Sequence, residues 1–313
     1  MQYSYLIKKI YNKLYISFHR PNKEFKNFYH LGSRNKKIES VLFYFFDNRF
    51  MHLGDHLFFE PICRLFKENG IEVGVIPINV MEPYFEECGY KLEKKENISK
   101  YDLVISKPDF VMDVKRNKNV LLIETAYANI KQPLIDDLLF KCSTYFSIRH
   151  RVSSRPAYKI SPKNSFESCL NPQLKYIVYN NYLISGSFRV NDDKFERLEE
   201  FLKEFLSQKP HYKIIHTGSK KDKEKDKRVY DFVSEDLRGK TTVTDLFDLC
   251  SLQNVEHYIG FDGFLMHLFF LQEKKAYVMS RGRWSKNERF FLENYIDPPF
   301  EVDSVNKIKE YIK

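Results

Sequence analysis

A Gly-Asp pair that opens a predicted helix is the first place in the sequence where side chains could carry out a reaction. Gly54 and Asp55 follow the apolar run 40–46, which predicts a buried strand. Glycine lets the backbone turn tightly off the strand end, and the next residue then points into the crevice at the carboxyl edge of the sheet. A carboxylate there can act as a general base. Capping of the helix N-terminus is the alternative role for Asp55.

A second strand, turn and helix lie at 258–268 and contain Asp262, Gly263, Phe264 and His267. The turn would offer free backbone N–H groups and the positive end of a helix dipole, which suits a diphosphate. Two other roles remain open here, because Asp262 could cap the helix and His267 could be a hydrogen-bonded histidine of the core.

Two glycines mark further turns between these stretches. Gly218 follows the predicted strand 213–217 and precedes a highly charged segment. Gly239 begins the sequence Gly-Lys-Thr-Thr-Val, which leads into a predicted helix. Both turns therefore belong to the same alternation of strand and helix.

Together these stretches resemble the glycosyltransferase family 9 enzymes, the lipopolysaccharide heptosyltransferases. The Gly-Asp-x5-Pro of that family is matched by Gly54, Asp55 and Pro61 with the same spacing. The family also has a strand that ends in glycine before a charged segment, and a Gly-Lys-Thr-Ser-Leu-like helix lead-in. Its late Asp-Ser/Thr-Gly-x-x-His signature is similar to the stretch from Asp262 to His267.

The resemblance implies an inverting glycosyltransferase that moves heptose or a related sugar from a nucleotide-diphosphate donor. The acceptor would be a lipopolysaccharide, lipooligosaccharide or capsule saccharide. Asp55 would be the catalytic base, and Gly54 and His56 would lie on the acceptor side. The base would take the proton of the acceptor hydroxyl as that oxygen attacks the anomeric carbon from the opposite face.

The resemblance also implies a set of donor-binding residues: Arg189, Gly218, Asp222, Glu224, Asp262, Gly263, Phe264 and His267. Arg189 and the helix end would stabilise the charge that builds on the leaving diphosphate. Asp222 or Glu224 would bind the ribose. For these charged residues a solvated surface loop remains the alternative.

The sequence predicts no metal site and no other cofactor, with the nucleotide sugar as co-substrate. No Asp-x-Asp occurs near a predicted strand end, and fixed donors would replace a cation. The five cysteines are widely spaced and form no CxxC motif. They are typical of reduced thiols, and the N-terminus lacks a continuous apolar signal region, so we expect a cytoplasmic protein.

The charge balance restricts the partners. Fifty-one Lys and Arg residues against 42 Asp and Glu residues give a net charge of +9, which favours phosphorylated donors, acidic lipid head groups or nucleic acid. Basic residues and stacking aromatics are not interleaved in any recognisable motif, so nucleic acid is not expected. No apolar run approaches the roughly 18 to 20 residues that span a bilayer.

The elements that must position these residues alternate between short apolar runs and longer amphipathic stretches, in both halves of the chain. This rhythm predicts buried parallel strands with crossover helices. The fold class is therefore α/β, a GT-B fold with two doubly wound Rossmann-like domains facing a central cleft. We predict an N-terminal arm (1–38), an acceptor-side domain (39–155), a linker (156–172), a nucleotide-sugar-binding domain (173–295), and a C-terminal segment and helix (296–313).

The N-terminal arm has a basic amphipathic pattern. Tyr3, Leu6, Ile10 and Leu14 recur at helical spacing, with three lysines between them. Such a helix either packs on its own domain or lies on the anionic inner face of the cytoplasmic membrane. Peripheral attachment would suit a membrane-embedded acceptor.

Two other functions fit the same fold. A sugar-nucleotide epimerase or hydrolase would use Asp55 or His267 on the donor without a second saccharide. A non-catalytic nucleotide- or glycan-binding relative would keep the scaffold without turnover, and Gly263-Phe264, in place of the Ser/Thr-Gly of the family, supports that hypothesis.

Overall fold

The computed structural model describes residues 7, 10–12, 14–15, 25–32, 37–46, 51–125, 134–159, 166–181, 192–261, 263–279 and 300–301. The chain divides into two compact units, Met1–Ala157 and Tyr158–Lys313. Each unit contains a six-stranded sheet with helices between its strands. No helix among the described residues is long and apolar enough to cross a membrane.

Unit 1 is built on a sheet of one antiparallel and five parallel strands. Its strands are β1 (Phe28–Gly32), β2 (Ser40–Tyr44), β3 (Glu72–Ile76), β4 (Lys91–Leu92), β5 (Leu103–Ser106) and β6 (Asn119–Ile123). Its helices are α1 (Leu53–Glu68), α2 (Glu82–Glu87), α3 (Val111–Val114) and α4 (Leu134–Phe146), with short 3₁₀ turns at Asn79–Met81, Lys95–Lys100 and Pro108–Phe110.

The strand order in unit 1 is β1-β6-β5-β2-β3-β4. The chain starts the parallel part at β2, winds to β3 and β4 on one side, and then returns to β5 and β6 on the other. This is the doubly wound order, and its switch point lies between β2 and β5. Side chains on both faces of these strands are buried, which explains why the strands are continuous apolar runs.

Unit 2 repeats the same winding. Its strands are β7 (Lys175–Asn180), β8 (Tyr212–His216), β9 (Glu235–Asp236), β10 (Val255–Phe261), β11 (Lys275–Met279) and β12 (Phe300–Glu301). Its helices are α5 (Phe166–Cys169), α6 (Asp192–Gln208), α7 (Lys220–Lys225), α8 (Val243–Ser251) and α9 (Phe264–Leu271). The order β12-β11-β10-β7-β8-β9 is parallel at every pairing, and its switch point lies between β7 and β10. The predicted α/β class with doubly wound domains is confirmed.

Strand β1 lies inside the segment 1–38, for which the sequence predicts only an arm. It pairs antiparallel with β6, from Phe28 opposite Ile123 to Gly32 opposite Asn119. Only Phe28 of this strand is buried, because β1 is an edge strand with one partner. A half-exposed strand of five residues lacks the continuous apolar run by which the central strands are predicted.

The described residues of the N-terminal helix, 7, 10–12, 14 and 15, show an unexpected orientation. Asn12 is buried and its side chain donates a hydrogen bond to the backbone oxygen of Asp109. Four apolar side chains at helical spacing are instead between 47% and 64% exposed: Ile7, Ile10, Tyr11 and Leu14. The apolar stripe, as far as it is described, is thus about half exposed, although the ring of Tyr11 lies 5.3 Å from Nζ of Lys115 in unit 1.

The run 144–149 is rich in aromatic and β-branched residues, and the alternation in the sequence predicts a strand there, but it is the end of α4 followed by a turn. Ser147 has a φ of 54°, in the left-handed region that commonly terminates a helix. The division between the units follows shortly after, within the predicted linker. The N–H of Ala157 donates a hydrogen bond to the carboxylate of Glu60, and its carbonyl oxygen accepts one from the hydroxyl of Tyr84, so Ala157 is held in unit 1. The hydroxyl of the next residue, Tyr158, donates to the carbonyl oxygen of Phe247 in unit 2.

Candidate functional site

Asp55 lies in the first turn of α1, directly after the carboxyl end of β2. Its Oδ2 atom accepts a hydrogen bond from the backbone N–H of His52, the residue that caps the helix, at 3.2 Å. A carboxylate in the first turn also interacts favourably with the positive end of the helix dipole. Asp55 is therefore held by the helix start, but His52 and not Asp55 is the N-cap residue, and Asp55 is the third residue of the helix.

Lys107 brings a positive charge to the same carboxylate. Its Nζ lies 3.1 Å from Oδ2 of Asp55, and the two side chains are 13% and 14% exposed. Lys107 follows β5, which pairs with β2 through Tyr44 and Ser106. The ion pair therefore bridges the two strands of the switch point in unit 1, where doubly wound sheets bind their ligands.

The charge state of Asp55 follows from two opposing effects. Burial raises the pKa of the carboxyl group, but the charges of Lys107 and His52 and the hydrogen bonds from both residues outweigh it, so the pKa lies below its ordinary value. Asp55 is thus an anion at neutral pH. Among the described residues, none donates a hydrogen bond to its Oδ1 atom, which leaves that oxygen able to accept a proton from a ligand.

His56, placed by the sequence on the acceptor side, is completely buried. The N–H of Ile78 donates to Nε2 at 3.3 Å, so the ring proton sits on Nδ1 and is shared with the carbonyl oxygen of His52 at 2.9 Å. Burial lowers the pKa of His56 to about 4, which keeps the ring neutral. His56 thus braces the start of α1 against the segment after β3. Gly54 lies beside it in the first turn of α1.

The switch point of unit 2 is lined by neutral groups, as far as its residues are described. Asn180 at the end of β7 is buried and donates to the carbonyl of Thr217 at 2.9 Å. Its Oδ1 atom is buried and has no partner among the described residues. Gly260 lies opposite Asn180 in β10, and a Cβ added there would come within 2.5 Å of the Asn180 carbonyl oxygen. Glycine therefore allows β7 and β10 to approach closely.

The helix that follows β10 begins at Gly263, its N-cap, with Phe264 as the first helical residue. Glycine has no side chain to cap this end, and no side chain of the described residues accepts a hydrogen bond from its first backbone N–H groups, which can therefore bind a ligand. His267 lies one turn further along and is buried. Asp262, predicted as part of this turn, and Arg189, predicted to neutralise the diphosphate, lie outside the described residues.

Gly218, Asp222 and Glu224 lie at the end of β8 and in α7. Asp222 and Ser219 form a reciprocal capping box, in which the N–H of Ser219 donates to Oδ2 of Asp222 and the N–H of Asp222 donates to the Ser219 hydroxyl. Burial of Asp222 raises its pKa. Glu224 is exposed. Of these two acidic residues, only Asp222 forms hydrogen bonds with other described residues.

A buried ionic cluster follows α7 and was not predicted. Arg238 is 4% exposed; it donates two hydrogen bonds to the carboxylate of Asp236 and one to the carbonyl of Asp226. Asp226 in turn accepts from Tyr230 at 2.6 Å and from Arg228 at 2.9 Å. The charged segment after Gly218 is thus tied down at its end. Alternating charges in the sequence do not show which of them are buried.

No protein-family model matches the sequence, and no curated protein matches it. Among solved structures, the chain is similar to a glycosyltransferase family 9 protein from Veillonella parvula, with 13% identity and a TM-score of 0.52 over 79% of this chain and 82% of that one. It is also similar to the E. coli heptosyltransferase WaaC with ADP, with 13% identity and a TM-score of 0.53 over 87% of this chain and 98% of that one.

The expectation that no metal is required, which was drawn from the absence of an Asp-x-Asp motif, is wrong. An iron-containing dodecameric glycosyltransferase from enterotoxigenic E. coli is also among the similar structures, with 9% identity and a TM-score of 0.49 over 80% of this chain and 61% of that one. Within the described residues, no group of three or more His, Cys, Asp or Glu side chains could hold a metal ion.

These similarities concern the fold, because the identities are low. The predicted resemblance to glycosyltransferase family 9 is confirmed at that level by two structures that each align over most of both chains. The chain has a GT-B glycosyltransferase fold.

Proposed function

We propose that this protein is a nucleotide-sugar glycosyltransferase that inverts the anomeric configuration of the sugar it transfers. The observation that carries the proposal is the carboxylate of Asp55 at the switch point of unit 1, anionic and with Oδ1 open to a ligand. A general base must be unprotonated and within reach of the hydroxyl that it serves. Asp55 satisfies the first condition, and its place at the ligand-binding edge of the sheet supports the second.

In the reaction, the acceptor O–H bond breaks and its proton passes to Oδ1 of Asp55. The acceptor oxygen attacks the anomeric carbon from the face opposite the diphosphate, and the bond to the diphosphate breaks with its electron pair. The base and the leaving group thus act on opposite sides of the sugar, which gives inversion.

The donor is a nucleotide-diphosphate sugar, with heptose or a related sugar as its glycosyl group. The uncapped start of α9 supports this proposal, since open N–H groups at a helix N-terminus bind phosphate. So does the ADP in the similar WaaC structure. Arg189, Asp262 and His267 would complete the phosphate site. Gly218 and an acidic residue of α7 would contact the ribose.

The acceptor is a saccharide of the bacterial surface, presented at an anionic membrane. The exposed apolar face of the N-terminal helix supports the membrane part of this proposal, together with the lysines that alternate with it in the sequence. The helix contacts unit 1 at Asp109, two residues beyond Lys107. It therefore lies on the same unit, and near the same strand end, as the proposed base.

A donor screen followed by product analysis tests the function. Nucleotide sugars are first ranked by thermal shift, where a ligand at about a hundredfold its dissociation constant adds about 2.7 kcal/mol. The preferred donor is then incubated with and without saccharide acceptors, and the anomeric configuration of the product is read by NMR.

We expect a product of inverted configuration that forms only with an acceptor. Conversion of the donor alone would identify an epimerase or hydrolase. Donor binding without turnover on any acceptor would identify a non-catalytic binding protein. A retained configuration would exclude Asp55 as a base in single displacement.

A further inference from the structure

The ion pair between Lys107 and Asp55 is asymmetric. Both hydrogen bonds to the carboxylate, from the N–H of His52 and from Lys107, end on Oδ2. Among the described residues none ends on Oδ1. We propose that Lys107 is the positioning residue of Asp55: it holds Oδ2 and thereby turns Oδ1 toward the acceptor hydroxyl. This inference rests on the proposed function and adds a residue to it.

The lysine itself is held in place. It stands between β5 and the 3₁₀ turn Pro108–Phe110, and its backbone carbonyl accepts the N–H of Phe110. The ring of Phe110 is fully buried and lies edge-on to Tyr44, the last residue of β2, with a ring separation of 5.8 Å. The main chain that carries Lys107 is thus locked to the strand that precedes Asp55.

The environment makes the pair stronger than an ordinary surface pair. Lys107 and Asp55 are 13% and 14% exposed, whereas the pair of Lys37 and Glu39, before the start of β2, is 85% and 68% exposed. Charges that are mostly withdrawn from water are screened less by solvent and salt. A mostly buried pair fixes the orientation of a carboxylate, which an exposed pair does not.

Two other roles for Lys107 give different results. If the pair only stabilises unit 1, its removal lowers the melting temperature and leaves the kcat of the folded enzyme unchanged. If Lys107 instead binds the donor phosphates, its removal raises the donor KM more than it lowers kcat. Removal of the lysine charge shifts the titration of Asp55 in every case, so the titration tests the pairing. A loss of kcat at unchanged KM, with recovery in Lys107→Arg, tests the positioning role.

The experiment compares Lys107→Met and Lys107→Arg with the wild type. Lys141→Met is the matched control, because Lys141 forms an ion pair of similar exposure with Asp137, 21% and 13%, elsewhere in unit 1. The first measurement is a carboxyl ¹³C NMR titration of Asp55 in the full chain without substrate, assigned with Asp55→Asn. The second is the pH profile of kcat and KM for transfer.

In Lys107→Met we expect Asp55 to titrate at higher pH than in the wild type. We expect kcat to fall about 10²-fold, as for a misplaced reacting group, and its acid limb to move to higher pH. Lys107→Arg keeps the charge and should restore kcat to within about tenfold of the wild type, since arginine differs in reach. Lys141→Met should change neither measurement.

An unchanged Asp55 titration in Lys107→Met overturns the inference, whatever the activity. So does a loss of kcat that Lys107→Arg and Lys107→Met share equally. A shifted titration in a protein that transfers no sugar removes the proposed function but keeps the pairing of Lys107 with Asp55. Active transfer with an unshifted titration removes only the role of Lys107.

Discussion

In unit 1 the switch point between β2 and β5 carries a carboxylate and an ammonium group 3.1 Å apart, whereas the described part of the switch point in unit 2 is formed by the amide of Asn180 and the glycines 260 and 263. The two sheets have the same strand order, so topology does not set this difference. The residues at the strand ends do. The edge of unit 1 carries an ionised carboxylate, as our proposal of a general base requires, and the described part of the edge of unit 2 offers backbone N–H groups and close backbone packing, as our proposal of a phosphate site requires.

The largest expected effect is on kcat, and it comes from a substitution at the switch point of unit 1. Asp55→Asn removes the base but keeps the shape of the side chain, and we expect kcat to fall by about 10² to 10⁴. Donor affinity should change less than about threefold, because the phosphate site is assigned to unit 2 by the helix-terminus argument. Single-turnover kinetics and donor titration measure the two quantities. A variant that keeps near wild-type kcat would refute the assignment of the base.

A second expected effect is on the pH dependence of stability, and it comes from His56, which lies inside unit 1 behind the start of α1. Its pKa of about 4 in the folded state lies below its ordinary value of 6.5. The unfolded chain therefore binds a proton more readily, and stability that is fully present above pH 6.5 is lost as the pH falls toward 4. This corresponds to about 3 kcal/mol.

Urea unfolding of the wild type and of His56→Gln, measured at pH 7 and pH 5, tests that expectation. Glutamine does not titrate, so the free energy of unfolding of the variant should change less between the two pH values than that of the wild type. An equal change in both proteins would show that other groups, such as His216 or His257, whose pKa values burial lowers to about 4, account for the pH dependence.

Gly260→Ala tests the switch point of unit 2, where β7 and β10 approach closely. The new Cβ would press on the backbone of Asn180 and on the ring of Tyr258, and we expect unfolding to become easier by about 1–3 kcal/mol, as for overpacked sites. Gly74→Ala in β3 is the matched variant, because the three atoms nearest its Cβ belong to the side chains of Tyr101 and Glu93 and none is a backbone atom. Chemical denaturation should therefore show the larger loss for Gly260→Ala. If both variants lost the same free energy of unfolding, the contact between β7 and β10 at Gly260 would tolerate a Cβ atom as well as the site of Gly74 does.

The parts of the site that follow from local sequence were predictable. A glycine and an aspartate after a continuous apolar run place Asp55 at a strand end, and an Asp-Gly after another run places Gly263 at the start of α9. Both inferences need only the neighbouring residues, because buried parallel strands are apolar on both faces. The same reasoning gives the central strands of both sheets.

Lys107 could not be found in this way, since its role depends on which strands are neighbours. It is 52 residues from Asp55 in the chain, and periodicity in a sequence does not state strand order. Its position at the end of the apolar run 102–107, which has the composition of a buried strand, was the available signal. The edge strand β1 was missed for a related reason, because its partner β6 lies about ninety residues away and its own side chains are only partly buried.

The smallest expected effect is on membrane binding by the N-terminal helix of unit 1. If the acceptor is held at a membrane, attachment should come from the unit with the charged edge, through the face formed by Ile7, Ile10, Tyr11 and Leu14. Removing two apolar side chains from an interfacial helix costs about 1 kcal/mol each, so Ile10→Asp with Leu14→Asp should weaken binding to anionic vesicles at least tenfold. Val229→Asp, at a position in unit 2 that is 92% exposed, adds one of these two negative charges elsewhere and should leave sedimentation with vesicles nearly unchanged. Equal losses in both proteins would indicate attraction by net charge alone, in which case the exposed stripe would have no part in membrane binding.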